Sequence, residues 1–363
     1  MPATTLHTTI MSTLNRLLPK VVRSQLQNLG LIVAGAAQNR ASRLSAIGHG
    51  MGLPTKQASK EQRIRRFTDN VLVTQETHYA PIVQYSLLPL RGQWVHLLMD
   101  RVLLGDHHNL LVVSVSFRRR SIPVVFDSLS HRGCSNEEQQ RSILARAVKL
   151  LPPKVRVSVH GDSEFRSQGL FEWLRGEGHD ALLGIRGDMM LFDRPEAPEE
   201  QGCTIQQKLG ESTKVMYLSN VYLTHQRHGP INLLAWWAKD DDDKPLVRGI
   251  QTNLPATPGT YQIGGRRMSI ETVFRDLQSQ GFDLDKSAIK SRPRLARLLL
   301  PLLIVYLWFI SVGRWVVRRG YRHLLDSSSS RDWGFSLFQL GFSWKTHLQA
   351  LGLPFPPLLQ FDL

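Results

Sequence analysis

Residues 93–129 read "QWVHLLMDRVLLGDHHNLLVVSVSFRRRSIPVVFDSL". Three apolar runs, rich in Val, Leu and Ile, are separated by two polar turns, "GDHHN" and "RRRS". Run length and β-branched content predict a three-strand meander. One residue is out of place in it. Asp100 sits inside "HLLMDRVLL", and strand alternation puts it on the face of Leu98 and Val102. A carboxylate there costs free energy unless it is paired or binds a cation.

The pattern continues downstream. "NEEQQRSILARAVKLL" (136–151) predicts a helix with Ile143, Leu144, Ala147 and Leu150 or Leu151 on one face. "VRVSVHGD" predicts a buried strand ending on Asp162. "SQGLFEWLRGEG" predicts another helix and "DALLGIRG" another strand. The order β-β-β-α-β-α-β is that of an α/β, ribonuclease-H-like core. In that topology the first and fourth strands are neighbours, so Asp100 and Asp162 approach one edge of the sheet. Two such carboxylates repel each other unless a metal ion lies between them. The dull alternative makes Asp162 a turn or N-cap residue.

Residues 188–263 differ again. "TKVMYLSNVYLTHQ", "INLLAWWA" and "PLVRGIQTNL" read as strands of a β-rich insertion. The acid run Asp240 to Asp243 reads as a solvated hairpin loop, and His107 and His108 as turn residues. "GRRMSIETVFRDLQSQGF" (265–282) then predicts a helix. At 100° per residue Arg267, Glu271, Arg275 and Gln278 share one stripe. Ile270, Val273, Phe274 and Leu277 form a second stripe beside it, and Asp276 points away. Glu271 thus borders the buried face, or is simply an i,i+4 partner of the two arginines. Three oxygen donors, Asp100, Asp162 and Glu271, suit Mg²⁺ or Mn²⁺ and not a soft metal. Two such ions can activate a water or a 3′-hydroxyl at a phosphodiester. Arg267 and Arg275 would then contact phosphate oxygens.

Upstream, "LNRLLPKVVRSQLQNLGLIV" (14–33) and "NRASRLSAIGHGMGL" (39–53) have helical spacing. Ser59 with Gln62 has the spacing of a capping box, so a helix is expected to start there, carrying Arg63, Arg65 and Arg66. A helix-turn-helix and a plain helical bundle both fit. The divisions read as a helical DNA-binding domain (1–75), the first part of the core (76–187), the insertion (188–263), the catalytic and apolar helices (264–320) and a C-terminal tail (321–363). The formal net charge of +15 favours a polyanionic partner. Two distant cysteines, Cys134 and Cys203, make neither a zinc site nor a disulfide framework. No basic segment followed by an apolar run opens the chain, so a cytoplasmic protein without a membrane partner is expected. The apolar run Leu295 to Trp315 approaches a membrane span in length, but Arg297 and Pro301 lie inside it. A buried core helix is expected.

In this order, "LLMDRVLL", "VHGDSEFRS" and "RRMSIETVFRDLQ" resemble the three blocks of DDE transposases from bacterial insertion sequences. The group in question has a third block of Tyr, two residues, Arg, three residues, Glu, six residues, Lys. "GIQTNL" also resembles that group, and the likeness spans roughly residues 60–320. It implies a ribonuclease-H-like core interrupted by a β-strand insertion, with Asp100, Asp162 and Glu271 as the catalytic, metal-binding triad. It implies two Mg²⁺ ions (Mn²⁺ as an alternative) and Arg267 on a phosphate. Its further implications are terminal inverted repeats and target DNA as partners, a homodimer in the synaptic complex, and association with the bacterial nucleoid when bound. In some relatives a Trp of the insertion stacks on a flipped base, so Trp236 and Trp237 are either such residues or sheet core. This chain departs from the group twice: Gly264 stands at the Tyr position, with Tyr261 nearby, and Gln278 stands at the Lys position. Arg275 or Lys286 would compensate for the latter. The competing readings are a non-catalytic DNA-binding protein derived from a transposase and, on charge alone, an anionic-membrane protein.

Overall fold

The computed structural model describes residues 2–105, 107–212, 214–240, 242–278, 281–326, 334–357 and 361. Six helices come first: α1 (Pro2–Leu17), α2 (Arg23–Asn39), α3 (Leu44–Gly50), α4 (Gln57–Asp69), α5 (Gln75–His78) and α6 (Ala80–Leu87). The helix expected over 14–33 is split, because Pro19 cannot continue α1. The predicted start at Ser59 is corrected as well. α4 begins at Gln57 after Lys56, and no side chain caps it. Ser59 therefore lies within the first turn.

The core follows as predicted: β1 (Trp94–Leu104), β2 (His108–Phe117), β3 (Arg120–Leu129), α7 (Glu137–Lys149), β4 (Arg156–Gly161), α8 (Gln168–Gly176) and β5 (Asp180–Arg186). β2 runs antiparallel to β1 and β3, while β4 lies parallel to β1 and to β5. The spatial order β3-β2-β1-β4-β5 is consistent with a ribonuclease-H-like core. Local chemistry supports each helix start. Asn136 and Gln139 form a reciprocal capping box for α7, and Ser167 caps α8.

The β-rich stretch does not fold back into a separate layer. It comprises β6 (Met190–Phe192), β7 (Cys203–Thr204), α9 (Ile205–Leu209), β8 (Met216–Leu223), β9 (His228–Lys239) and β10 (Pro245–Thr252). β10 pairs with β5, so all ten strands form one sheet, continuing β5-β10-β9-β8-β6-β7. Asn253, just past β10, locks this junction by accepting from Ala181 N and donating to His179 O. The acid run is the β9–β10 hairpin loop. Asp240 accepts from the backbone N–H groups of Asp242 and Lys244, while Lys239 and Lys244 pair with Asp243 and Asp242. Asp241 lies outside the described residues. Cys134 and Cys203 are both free thiols.

After β10 come α10 (Pro258–Gly264), a 3₁₀ segment (Gly265–Ile270), α11 (Glu271–Leu277), α12 (Arg292–Arg318) and α13 (Leu337–Ala350). α12 is the one helix among the described residues long and apolar enough to cross a membrane, and 89% of its apolar window is buried inside the protein. It is a core helix. One hydrophobic cluster reaches from Leu6 through the sheet and α12 to Phe361. The helical N-terminal region shares that core. The buried Lys345 of α13 donates to Ala37 O and Gln38 O at the end of α2, where the helix dipole favours a cation. Ser42 bonds the backbone of Phe282 and Asp283. The segment that follows α11 is thereby tied to the helical region.

Candidate active site

Two adjacent parallel strands set the site. The β1–β4 register pairs Trp94 with Arg156, His96 with Ser158 and Leu98 with His160. Two residues further the same register sets Asp100 opposite Asp162. There β4 has ended and the chain turns away into a 3₁₀ turn, Ser163–Phe165. The two aspartates therefore lie on one face, at the point where the two strands diverge. On the β5 side the next position is Gly184. A Cβ there would stand 2.8 Å from the carbonyl carbon of Asp162 and from Ser163 N, so only glycine lets the turn pack this closely.

Asp162 does cap a turn, since its side chain accepts from Glu164 N at 2.8 Å. Asp100 is largely buried, with one oxygen accepting from Arg101 N at 2.7 Å. Its carboxyl is pushed up to about 6, first by burial and also by the negative charges of Asp162 and Glu271. The Arg101 N–H and the Arg267 guanidinium oppose that rise. Arg267 Nη1 lies 3.5 Å from Asp100 Oδ2, and its Nη2 lies 3.8 Å from Glu271 Oε1. One guanidinium thus bridges the first and third carboxylates.

The predicted continuous helix carrying Glu271 is not formed. Residues 265–270 are 3₁₀, and Glu271 opens the short α11. Because 3₁₀ geometry turns faster than an α-helix, the single-stripe arithmetic fails across Ile270. Glu271 is nevertheless half-exposed beside Arg267, and Ser121 Oγ pins the segment by donating to Ser269 O. Asp276 does not point away. It is 2% exposed and pairs with Arg120 of β3 at 3.0 Å. Arg275 is exposed. Gln278 donates to Leu103 O at 3.3 Å, so its amide is engaged by the end of β1. Arg63, Arg65 and Arg66 lie on α4, apart from these carboxylates in sequence and element; Arg63 bonds Asn28 and Arg65 lies 4.0 Å from Glu61. Lys286 pairs with Asp283 at 2.9 Å.

A cleft of about 830 Å³ opens beside Asp162 and Arg267, bounded by β5, β9, β10 and α10. Tyr261 and Trp236 meet edge to face in its wall, their ring centroids 5.0 Å apart. Trp237 faces elsewhere and donates to Gly210 O. At Gly264 a Cβ would lie 2.5 Å from Ile250 Cδ1, the tip of a side chain that would have to shift to admit it. Tyr261, three residues earlier, lies on the same side of α10 and supplies an aromatic ring to the same cleft.

Glu164 carries no signal in the sequence beyond standing two residues after Asp162. Its carboxylate accepts from Arg101 Nε at 2.9 and 3.1 Å, from Ser135 N at 3.0 Å and from Ser135 Oγ at 3.1 Å. Arg101 is the neighbour of Asp100, so Glu164 couples the turn of Asp162 to the strand of Asp100. Gln251 of β10 holds the other side of the turn by donating to Arg166 O. Beneath the aspartates, on the same face, His96 Nδ1, Ser158 Oγ and His160 Nε2 form a buried chain at 2.6 and 3.0 Å. Burial favours the neutral form of both histidines, with His96 lowered to about 4 and His160 held well below the ordinary imidazole range. With a divalent cation expected at Asp100 and Asp162, Glu164→Gln should raise the Mn²⁺ concentration that half-saturates the site by roughly 10–100-fold, as loss of a hydrogen bond that orients a ligand does. Mn²⁺ titration of the two proteins checks this.

The donor set of Asp100, Asp162 and Glu271 is all carboxylate, and the repulsion from Asp162 and Glu271 that adds to burial in raising Asp100 is what a divalent cation would offset. Among the described residues, no three such side chains already stand together as a metal cluster. The Arg267 guanidinium supplies the countercharge between two of them. Residues 134–308 match the model of a family described as a transposase DDE domain. The match includes Asp162 and Glu271 and begins downstream of Asp100. No curated protein matches the chain.

Proposed function

With this domain the chain belongs to the DDE transposases of insertion-sequence type, and from that premise we propose that it cuts and joins DNA with Asp100, Asp162 and Glu271. The observation that carries the reading is Asp100 facing the charge of Asp162 where β1 and β4 diverge, with Arg267 bridging Asp100 to Glu271 of α11.

The carboxylates would hold Mg²⁺ or Mn²⁺. When bound, such ions supply Lewis-acid activation of the attacking oxygen and stabilisation of the leaving oxygen. The protein's own residues do the rest. Glu164 and Arg101 orient the two aspartates relative to each other. Arg267 exchanges its carboxylate partners for a phosphate oxygen of the bound strand, a charge-assisted bond of the kind arginine makes best. Tyr261 and Trp236 offer aromatic surface to a nucleotide at the strand end, in the cleft beside Asp162. Tyr261 thus supplies the aromatic ring that Gly264 lacks. Arg275 provides further positive charge next to α11, and Arg63, Arg65 and Arg66 give α4 a basic surface for duplex DNA. The product is a 3′-OH end joined to target DNA within a synaptic homodimer at the nucleoid. The retained carboxylates weigh against a purely DNA-binding descendant.

The test is direct. Purified protein is incubated with Mg²⁺ and DNA bearing the inverted repeats that flank its own gene. Nicked or excised product is expected. Absence of product with either Mg²⁺ or Mn²⁺, from protein that binds those ends, would leave the non-catalytic reading in its place.

A further inference from the structure

The ladder between β1 and β4 runs from the Trp94–Arg156 pair to the Leu98–His160 pair and ends there. Asp100 and Asp162 lie beyond its last rung, so no backbone pairing between these two strands fixes one aspartate against the other. Their relative placement depends on side-chain ties. One is the Arg101–Glu164 pair. The other lies beneath the aspartates, on their own face of the sheet.

His96, Ser158 and His160 are only 6%, 0% and 1% exposed. Apolar side chains would fill these positions without the cost of desolvating polar atoms. Ser158 stands directly opposite His96 in the register. Its hydroxyl lies 2.6 Å from His96 Nδ1 on the neighbouring strand and 3.0 Å from His160 Nε2 on its own. The two rings meet edge to face, their centroids 5.4 Å apart. A hydroxyl carries one proton, so Ser158 donates to one ring and accepts from the other. His160 Nδ1 is buried without a partner, which leaves Ser158 as the only hydrogen bond to that ring among the described residues. Linked polar side chains in a low-dielectric interior rigidify what they join.

We propose that Ser158 is a positioning residue for the cleavage reaction, and that the His96–Ser158–His160 chain clamps β1 to β4 and sets the separation of the Asp100 and Asp162 carboxylates. His160 occupies the row between the clamp and the aspartates, opposite Leu98 and two residues before Asp162. Loss of the one hydroxyl would unpartner both rings and release β4 relative to β1 just below the site. The inference rests on the transposase reading, in which the two aspartates share a divalent cation, and adds to it the device that spaces them.

The experiment titrates Mn²⁺ into the full-length protein without DNA and follows the free ion by its EPR signal. Ser158→Ala should raise the half-saturating Mn²⁺ concentration about tenfold or more, the effect of losing a group that orients metal ligands. Ser158→Thr keeps the hydroxyl and should restore most of the affinity. Ser86→Ala removes an equally buried hydroxyl, bonded to Ile82 O within α6, and should leave Mn²⁺ binding unchanged. Thermal melts without metal report the stability of each variant. Wild-type Mn²⁺ affinity in Ser158→Ala, or an equal loss in Ser86→Ala, overturns the positioning role and leaves the transposase reading intact. If Ser158→Ala does not fold, His96→Leu removes the cross-strand bond alone, and the same two outcomes decide. If the wild-type protein binds no Mn²⁺, the shared-cation reading falls and the inference with it.

Discussion

Asp162→Asn and Glu271→Gln are each expected to lower DNA strand cleavage on the order of a thousandfold or more, with affinity for the DNA ends within about twofold of wild type. Both changes preserve shape and remove one negative charge. Asp162→Asn keeps an oxygen that can accept from Glu164 N, so the turn after β4 survives. Glu271→Gln keeps α11 and removes only the 3.8 Å pairing with Arg267. The loss therefore falls on the ability of the three side chains to hold a divalent cation, because a neutral amide is a poor ligand for Mg²⁺. Affinity depends on the basic residues and is spared. Cleavage rates with Mg²⁺ and with Mn²⁺, measured beside end-binding isotherms, provide the check. Cleavage by either variant at the wild-type rate would remove that residue from the catalytic set. A parallel collapse of affinity would assign it to DNA binding.

The second large effect concerns stability. Arg120→Met should destabilise the protein by about 3–5 kcal/mol near neutral pH, because it strands a buried carboxylate. Asp276 is 3% exposed at its side chain and Arg120 lies 3.0 Å away. Burial pushes Asp276 up to about 6 even with Arg120 beside it. The folded state therefore holds this proton more tightly than the unfolded chain does. Stability contributed by the protonated form is present at low pH and is lost as pH rises through about 6. Without Arg120 the carboxyl rises further, so the deficit against wild type should be larger at pH 8 than at pH 5. Urea denaturation at the two pH values measures it, and Arg120→Met/Asp276→Leu should recover most of the loss. A deficit that is small and equal at both pH values would show that the pair is solvated. The same bond anchors α11 to β3, so the single variant should also weaken cleavage through Glu271.

Much of this was legible in one dimension. The meander and the alternating units after it follow from runs of β-branched residues and from helical spacing such as that of Ile143, Leu144 and Ala147. Asp100 stood out because strand alternation placed a charge on an apolar face. The third block failed in detail because periodicity assumes a uniform helix, while residues 265–270 wind as 3₁₀. Asp276, within α11, is buried by its pairing with Arg120, a partner 156 positions away that local pattern does not show. Glu164 was invisible for the same reason: its partners, Arg101 and Ser135, come from two other segments of the chain.

By itself, then, the amino-acid sequence determined the strand order, the three carboxylates and the basic charge, because these depend on local propensity and on residue type. Only the tertiary structure decided that β10 joins β5 to make one ten-stranded sheet, and that Arg267 bridges Asp100 and Glu271. It likewise decided that Gly264 packs against the tip of Ile250 while Tyr261 lines the cleft. Each of these depends on distances between segments remote in the chain, which packing sets and local pattern does not encode.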